Sequence, residues 1–228
     1  MTDIFAYLEA RPYPGRGILL GATPSGRSVI AYFIMGRSEN SRNRVFVPTE
    51  DGIRTEAHDP AKLSDPSLII YHPVREFEGK RIVTNGDQTD TIRDFLAEGH
   101  CYRHALLTRE FEPDAPNYTP RISGVVRPDG GYVLSILKSA DGDPSVCQRF
   151  FYEYSSAMPG AAHFISTYAG YGEPLPSFYG EPVYVGMGEF CAQSLADKLW
   201  KSLNADNRVS LYVNIGGEVV MKNKNLGD

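Results

Sequence analysis

Short apolar runs, separated by turns that contain glycine or proline, make up most of this chain. Where two such runs flank a tight turn, the pattern predicts an antiparallel hairpin. The predicted hairpins join residues 17–22 with 28–36, 44–49 with 53–58, 68–77 with 80–86, and 208–215 with 218–224. Three more strands, whose connections are too short for crossover helices, are predicted at 121–127, 132–140 and 146–155.

A helical period replaces this pattern in several places. One helix is predicted for residues 89–98, because Ile92, Phe95 and Leu96 share one face and Gly99 follows as a C-cap. The other predicted helical segments are a short N-terminal helix capped by Thr2 or Asp3, one or two turns within 101–110, and a helix at 188–204. The stretch 159–182 is rich in glycine, proline and tyrosine and predicts an ordered loop.

Strands therefore come in runs and do not alternate strictly with helices. About ten strands and about two or three helices in this order predict an α+β fold with large antiparallel sheets, and they argue against a Rossmann or barrel fold. No internal repeat or Ser/Gly-rich linker interrupts the chain, so we expect a single domain over residues 1–228.

Composition narrows the class of protein. The 228 residues carry 23 Lys and Arg against 28 Asp and Glu, a net charge of −5, which argues against a general nucleic-acid-binding surface but not against a local basic pocket. The three cysteines are widely spaced and form no CxxC pair, which favours a reducing compartment over a disulfide framework or zinc site. No apolar run approaches the roughly 20 residues that span a bilayer, so we expect a cytoplasmic protein without a membrane partner.

Three polar stretches are candidates for chemistry, and the first follows the apolar run that ends at residue 36. Its arginines are Arg37, Arg42 and Arg44, with Ser38 and Asn43 between them. Guanidinium groups present planar, permanently charged forks that suit phosphate, and hydroxyl and amide groups add neutral hydrogen bonds. A solvated loop, in which the arginines pair with neighbouring carboxylates, is the alternative interpretation.

The second candidate lies where a predicted strand ends and a helix begins, and it contains Asn85, Asp87, Thr89 and Asp90. Backbone N–H groups at a helix start, together with short polar side chains, suit a ribose or phosphate. The same residues also cap a helix without any ligand.

The third candidate is the loop 110–121, which contains three carboxylates and three prolines. Its polar residues include Glu112, Tyr118, Thr119 and Arg121. Prolines lower the entropy that is lost when a loop is fixed, which suits a preorganised site and equally an ordinary tight surface loop. Tyr71, on the predicted strand 68–77, either packs in the core or directs its hydroxyl into a cleft.

Other signatures of catalysis are missing from the sequence. It contains neither GxSxG nor GxxxxGK[ST], which removes the usual serine-hydrolase and P-loop motifs. Its five histidines show no spacing typical of metal ligands.

The three candidates, RSENSRNR (37–44), NGDQTD (85–90) and EPDAPNYTPRISG (112–124), resemble in this order the archaeal-type inosine monophosphate (IMP) cyclohydrolase family. The resemblance runs over most of the chain, including the N-terminal hairpin and the late loop 168–182. It implies a four-layer αββα sandwich of two mainly antiparallel sheets flanked by helices, similar to N-terminal nucleophile hydrolases. It also implies closure of 5-formamidoimidazole-4-carboxamide ribonucleotide (FAICAR) to IMP in purine synthesis, without a cofactor or metal.

The resemblance further implies roles for single residues. Glu112 is the expected proton-transfer group, and Tyr71 is a candidate donor to the developing oxyanion or to the departing hydroxyl. Arg121, like Arg37, is expected either to bind the phosphate or to polarise the formyl oxygen. The residues expected to contact the purine ribonucleotide are Arg37, Ser38, Asn43, Arg44, Asn85, Asp87, Thr89, Asp90, Tyr118 and Thr119. The family's first motif is shorter between Arg-Ser and Asn-Arg, so Arg42 and Arg44 both stay candidates for the phosphate.

Two other interpretations stay open. Removal of Met1 would leave Thr2 as an N-terminal nucleophile, but Thr2 precedes a helix and not a central strand. Alternatively, the chain binds purine nucleotides without turnover. The sequence leaves homo-oligomer formation undecided.

Overall fold

In the computed structural model, which describes residues 1–63, 66 and 69–228, two sheets stack face to face. Within these ranges the strands are β1 (Arg16–Ala22), β2 (Ser28–Met35), β3 (Arg44–Thr49), β4 (Gly52–Ala57), β5 (Val74–Phe77), β6 (Lys80–Thr84), β7 (Arg121–Val126), β8 (Tyr132–Ala140), β9 (Asp143–Tyr154), β10 (Ala161–Ser166), β11 (Val183–Gly186), β12 (Arg208–Ile215) and β13 (Glu218–Asn223). The helices are α1 (Ile4–Glu9), α2 (Glu39–Arg42), α3 (Gln88–Ala97), α4 (Tyr102–Leu107) and α5 (Ala192–Ser202).

Neighbouring strands run antiparallel throughout both sheets. The six-stranded sheet has the order β11-β10-β1-β2-β12-β13, and the seven-stranded sheet has the order β3-β4-β5-β6-β7-β8-β9. Sequential strands joined by short turns produce most of these neighbours, as the hairpin pattern predicted. The expected α+β class with large antiparallel sheets is confirmed.

The order of the layers follows from the direction in which successive side chains of a strand point. Ile18 and Leu20 of β1 point between the sheets, where they meet residues such as Ile122 and Leu134 of the seven-stranded sheet. Leu19 points the other way, into the cluster beneath α1 and α5. The helices α3 and α4 cover the outer face of the other sheet. The order of layers is thus helix, sheet, sheet, helix, and none of the helices in the described ranges is long and apolar enough to cross a membrane.

The predicted helices are present with shifted ends. Asp3 caps α1 by accepting a hydrogen bond from the N–H of Phe5 (2.9 Å), and Gly99, at a φ of 80°, follows α3. The last helix begins at Ala192, four residues after the predicted start, because Cys191 forms its N-cap.

Two predictions were wrong. The predicted strand 68–77 shortens to Val74–Phe77, and its first residue lies outside the described residues. Pro73 explains the late start, because proline lacks the N–H of a ladder and restricts the residue before it. The predicted loop 159–182 instead contains the strand β10. This strand is buried on both faces, so β10 shows no alternation of apolar and polar side chains. The strand β11 directly after that loop was also missed.

Asn223, at the end of β13, joins the two sheets. Its Oδ1 accepts hydrogen bonds from the N–H of Phe46 (2.7 Å) and the hydroxyl of Ser210 (2.7 Å), and its Nδ2 donates to the carbonyl of Phe46 (3.1 Å). The side chain is buried, so water does not replace these bonds when they are lost.

We expect Asn223→Ala to lower the free energy of unfolding by about 3 kcal/mol, because it leaves buried donors and acceptors without partners. Asn225→Ala is the matched control, since Asn225 is only partly buried and its loss is expected to cost less than about 1 kcal/mol. Urea denaturation of the three proteins measures both effects. Equal losses in the two variants would contradict this account of Asn223.

Candidate active site

A cluster of charged and phenolic side chains lies at one end of the space between the sheets, where β1 and β3 begin. Ile18 and Leu20 point into this space, so alternation along β1 directs Arg16 the same way. Phe46 places Arg44 there by the same rule on β3. Two cations thus enter the apolar core from opposite sheets.

Both guanidinium groups contain a buried nitrogen that has no hydrogen-bond partner among the described residues, Nε of Arg16 and Nη1 of Arg44. Arg44 is 1% exposed, and its Nε donates to the carbonyl of Ser41 (2.9 Å). Burial and the charge of Arg16 lower the pKa of Arg44. Burial alone would lower the pKa of Arg16, but nearby tyrosines and Glu112 raise it. A buried cation without its full set of acceptors is costly, so this arrangement suits a negatively charged or strongly polar ligand.

Two tyrosines lie against these cations. The hydroxyls of Tyr71 and Tyr32 are 2.9 Å apart, and both side chains are buried. Thr55 fixes the backbone of Tyr71, because its Oγ1 accepts from the N–H of Tyr71 (2.9 Å) and its own N–H donates to the carbonyl of Tyr71 (2.9 Å). Burial and the neighbouring Tyr71 raise the pKa of Tyr32 well above its usual range, so Tyr32 stays protonated. Its hydroxyl can therefore orient that of Tyr71.

Glu112 is the carboxylate of the cluster and is 4% exposed. Its N–H donates to the carbonyl of Thr119 (2.9 Å), which closes the loop that carries it. Burial raises the pKa of Glu112 from 4.5 to about 7, with the charges of Arg16 and Arg121 opposing the rise and that of Asp114 adding to it. A group with a pKa near neutrality is suited to take up and release protons in a reaction.

Arg121 differs from Arg16 and Arg44 because its charge is compensated. Its Nη1 donates to Asp87 (2.7 Å) and to Gln88 (2.7 Å), and Asp87 also forms an ion pair with Arg109 (2.5 Å). Burial would raise the pKa of Asp87, but the two arginines lower it overall. Gly86 makes room for this contact, since a Cβ at that position would lie 2.5 Å from Nη1 of Arg121.

Arg37 is half-buried and lies between two tyrosine rings. Its guanidinium carbon is 5.1 Å from the ring centre of Tyr13 and 5.8 Å from that of the exposed Tyr171. Tyr13 in turn stacks on Tyr168, with ring centres 6.0 Å apart. Since Tyr13 and Tyr168 both act on the pKa of Arg16, Arg37 lies on the solvent side of the same cluster.

The other polar residues of the first candidate stretch bind within the protein. Ser38 is the N-cap of α2. The amide of Asn43 donates to the carbonyl of Asp59 (2.8 Å) and accepts from its N–H (2.7 Å). Arg42 is exposed and donates to a nearby backbone carbonyl (2.9 Å), so it does not share the buried environment of Arg44.

The second stretch forms the start of α3. Asn85 accepts a hydrogen bond from the backbone of β7 (2.8 Å), and the hydroxyls of Thr89 and Thr84 are 2.6 Å apart. Asp90 accepts from Arg75 (3.0 Å). These contacts anchor the segment that carries Asp87, the partner of the buried arginine on β7.

In the third stretch, Thr119 connects two loops. Its N–H donates to Asp114 (2.6 Å), and its hydroxyl lies 2.6 Å from that of Tyr168. The ring of Tyr118 packs edge-on against Phe111, with centres 5.7 Å apart. The structure thus brings Arg44 of the first stretch and Glu112 of the third stretch together with Tyr71. The second stretch is connected to them through Asp87, which pairs with Arg121.

Sequence reasoning missed Arg16, Tyr13, Tyr32 and Tyr168. The sequence does contain a signal for Arg16. This arginine directly precedes the apolar run 17–22 and, by strand alternation, lies on the same face as residues 18 and 20. The run 28–36 is apolar on both faces, so its pattern does not distinguish Tyr32 from an ordinary core residue.

The alternative nucleophile lies elsewhere. Thr2 pairs with Val185 at the edge of the six-stranded sheet, and its N–H donates to the carbonyl of Tyr184 (2.8 Å). Nothing in this geometry favours nucleophilic catalysis by Thr2. Within residues 1–63, 66 and 69–228, no group of three or more His, Cys, Asp or Glu side chains is arranged to hold a metal ion.

Comparison with known proteins gives a family match over most of the chain. A family model described as "IMP cyclohydrolase-like protein" matches residues 13–218. An IMP cyclohydrolase of Methanococcus aeolicus is 28% identical over 160 residues, which cover 68% of this chain and 74% of the relative. Those of Halobacterium salinarum and Methanopyrus kandleri are 30% identical over 131 residues and 31% identical over 145 residues. The matched parts cover 56% and 58% of this chain, and 63% and 71% of these relatives.

The raised pKa of Glu112 predicts a pH-dependent stability difference. The folded protein holds a proton that the unfolded chain releases, so the stability associated with this proton is present below pH 4.5 and is lost as the pH rises through about 7. Between pH 4.5 and pH 8, we expect the wild type to lose about 3 kcal/mol relative to Glu112→Gln.

Urea denaturation across this pH range measures the difference. Glu110→Gln is the control, because Glu110 is exposed two residues earlier in the same loop, and its curve is expected to follow the wild type. If Glu112→Gln also runs parallel to the wild type, the buried carboxyl does not carry the raised pKa.

Proposed function

The chain belongs to the IMP cyclohydrolase-like protein family, and from this premise we propose that it closes FAICAR to IMP with release of water, in purine biosynthesis. Both reacting groups belong to one molecule. An enzyme for this reaction therefore needs to hold the carboxamide nitrogen and the formyl carbon about 3 to 3.5 Å apart and to move protons.

One observation carries the proposal. A buried carboxyl with a pKa of about 7 shares a water-poor cluster with two guanidinium groups and a buried pair of tyrosine hydroxyls. Each guanidinium has one N–H that no described residue accepts. Ring closure needs a group that exchanges protons at neutral pH and preorganised donors for the oxygen that becomes negative. The cluster supplies both in one place.

In the proposed reaction, Glu112 takes up and returns one proton, and Tyr71 releases and recovers one. Glu112, as the carboxylate, accepts one proton from the carboxamide nitrogen as this nitrogen bonds to the formyl carbon. The former formyl oxygen, held by Arg16 and Arg44, takes a proton from Tyr71. Glu112 then returns its proton to the hydroxyl as the C–O bond breaks, and water leaves. The formamido nitrogen loses its proton as the new C=N bond forms, and this proton restores Tyr71.

The remaining charges divide along the length of the ligand. Arg37 lies on the solvent side of the cluster, which supports a role in binding the phosphate, while Arg16 and Arg44 serve the reacting oxygen. Arg121 donates hydrogen bonds to Asp87 and Gln88. Because Asp87 compensates its charge, Arg121 would contact the ligand mainly as a hydrogen-bond donor. We further propose that the segment 85–90 and residues 118–119 form the walls for ribose and base.

We expect purified protein, freed of metal by chelation, to convert FAICAR to IMP, followed by ultraviolet absorbance and chromatography. Glu112→Gln should lower kcat by on the order of 10² to 10⁴, with KM little changed. In the wild type, kcat/KM should rise with pH to a plateau above about 7, because the carboxylate form starts the reaction.

The same assay separates the alternatives. Nucleotide binding without product above the uncatalysed rate would identify a non-catalytic purine-nucleotide-binding protein. Product formation that survives in Glu112→Gln would remove Glu112 from the proton transfer, and Glu110→Gln, again the control, should keep full activity.

Substitutions of the arginines should distinguish residues that affect kcat from residues that affect KM. We expect Arg44→Met to lower kcat about 10² to 10³-fold, because it removes a buried donor to the developing oxyanion. Arg37→Ala should instead raise KM about tenfold or more. Arg42→Met is the matched control and should behave as the wild type, since its guanidinium is held by Gly36 (2.9 Å) and Asn207 (3.1 Å). Steady-state kinetics with FAICAR measures all three, and a larger defect in Arg42→Met than in Arg44→Met would reverse the assignment.

A further inference from the structure

The outermost strand of the seven-stranded sheet, β9, leaves its backbone open. It is 12 residues long, and none of its residues is buried. Among the described residues, the backbone of Arg149 to Glu153 pairs with β8 on one side only. In an antiparallel edge strand, alternate residues direct their N–H and C=O groups away from the sheet, where they can pair with another strand.

The other sheet edges are protected. At the edge strand β3, Asn223 binds both backbone groups of Phe46. At β11, Thr2 runs alongside the strand and donates to the carbonyl of Tyr184 (2.8 Å). β13 is six residues long and carries Lys222, a charged residue of the kind that protects exposed edges.

The regular part of β9, residues 147–154, carries the charged residues Arg149 and Glu153, but among the described residues no other segment or side chain binds the outward backbone groups of 149–153. It contains neither proline nor lysine, and the irregular pairing with β8 ends before it, at Ser139. Its centre is aromatic, with Phe150, Phe151 and Tyr152 in succession, and Phe150 is 38% exposed. A long apolar edge of this kind is characteristic of a strand that pairs with another chain.

The sequence of β9 fits a second copy of itself. In antiparallel pairing, directly opposite residues lie on the same face of the sheet, so a two-fold axis must pass through a residue. With the axis at Phe151, Arg149 of each copy lies opposite Glu153 of the other, and Phe150 lies opposite Tyr152. An axis at Phe150 or Tyr152 brings no opposite charges together. The register at Phe151 thus combines two ion pairs with three aromatic pairs. The ion pairs would add to the contacts within each chain, where Arg149 donates to the carbonyl of Arg109 (2.8 Å) and Glu153 pairs with Arg103 (2.6 Å) and Arg127 (3.4 Å).

We propose that two copies of the chain associate through β9, antiparallel and with Phe151 on the two-fold axis, so that their seven-stranded sheets form one continuous sheet. The association does not depend on the proposed enzymatic activity, because β9 lies at the sheet edge and contributes none of the residues of the cluster around Glu112.

Charge exchange tests this register. In sedimentation velocity over a concentration series, the wild type should form dimers. Arg149→Glu and Glu153→Arg should each weaken the dimer about tenfold or more, because each places like charges opposite one another at two symmetric positions. The double variant R149E/E153R restores opposite charges and should restore the dimer. Arg103→Glu is the control: it removes one internal partner of Glu153 (2.6 Å), keeps the other, Arg127 (3.4 Å), and does not alter β9, so it should leave dimerisation unchanged.

Hydrogen exchange of the wild type gives a second test that needs no variant. The amides of residues 147–154 should exchange more slowly at concentrations where the dimer dominates than at concentrations where the monomer does. A monomer at every concentration, a dimer without added protection in β9, or a folded double variant that fails to recover would each overturn the proposal.

Discussion

Aliphatic side chains from both sheets fill the space between them, while helices cover the outer faces, so that most strands are buried on two sides. Buried backbone needs complete hydrogen bonding, which the antiparallel ladders supply along the middle of each strand. Among the described residues, the buried charged side chains lie where strands begin or in loops. Arg16 and Arg44 occupy such positions, and the loops that carry Tyr71 and Glu112 converge on the same end.

The candidate site is electrostatically unbalanced, and this imbalance connects stability to chemistry. Arg121 has Asp87 beside it, whereas Arg16 and Arg44 share mainly the carboxyl of Glu112, whose burial favours the protonated form. Bringing these groups together out of water costs stability that a polar, negatively charged ligand recovers on binding. The same low-polarity surroundings strengthen each interaction with a developing charge. A buried carboxyl with a pKa near neutrality thus follows from the way the sheets pack.

The sheet edges show a second consequence of the same architecture. Two open sheets expose four edge strands, and three of them are covered or charged by nearby residues such as Thr2, Asn223 and Lys222. The fourth, β9, is the longest strand of the described chain and has an aromatic centre. Pairing of two copies there would satisfy its backbone in the way the other edges are satisfied within one chain.

The sequence by itself determined the hairpins, because turn residues and apolar runs act between near neighbours, and it determined the period of α3. It also singled out the loop of Glu112 and Arg121, and the resemblance on that loop identified the family. Only the tertiary structure decided that Arg16, Tyr32 and Arg44 face one another, that Tyr71 lies in a loop before Pro73, and that β10 is a central strand. A strand buried on both faces has no polar side to reveal its orientation, and contacts between sheets join residues far apart in the chain, so local pattern does not specify them.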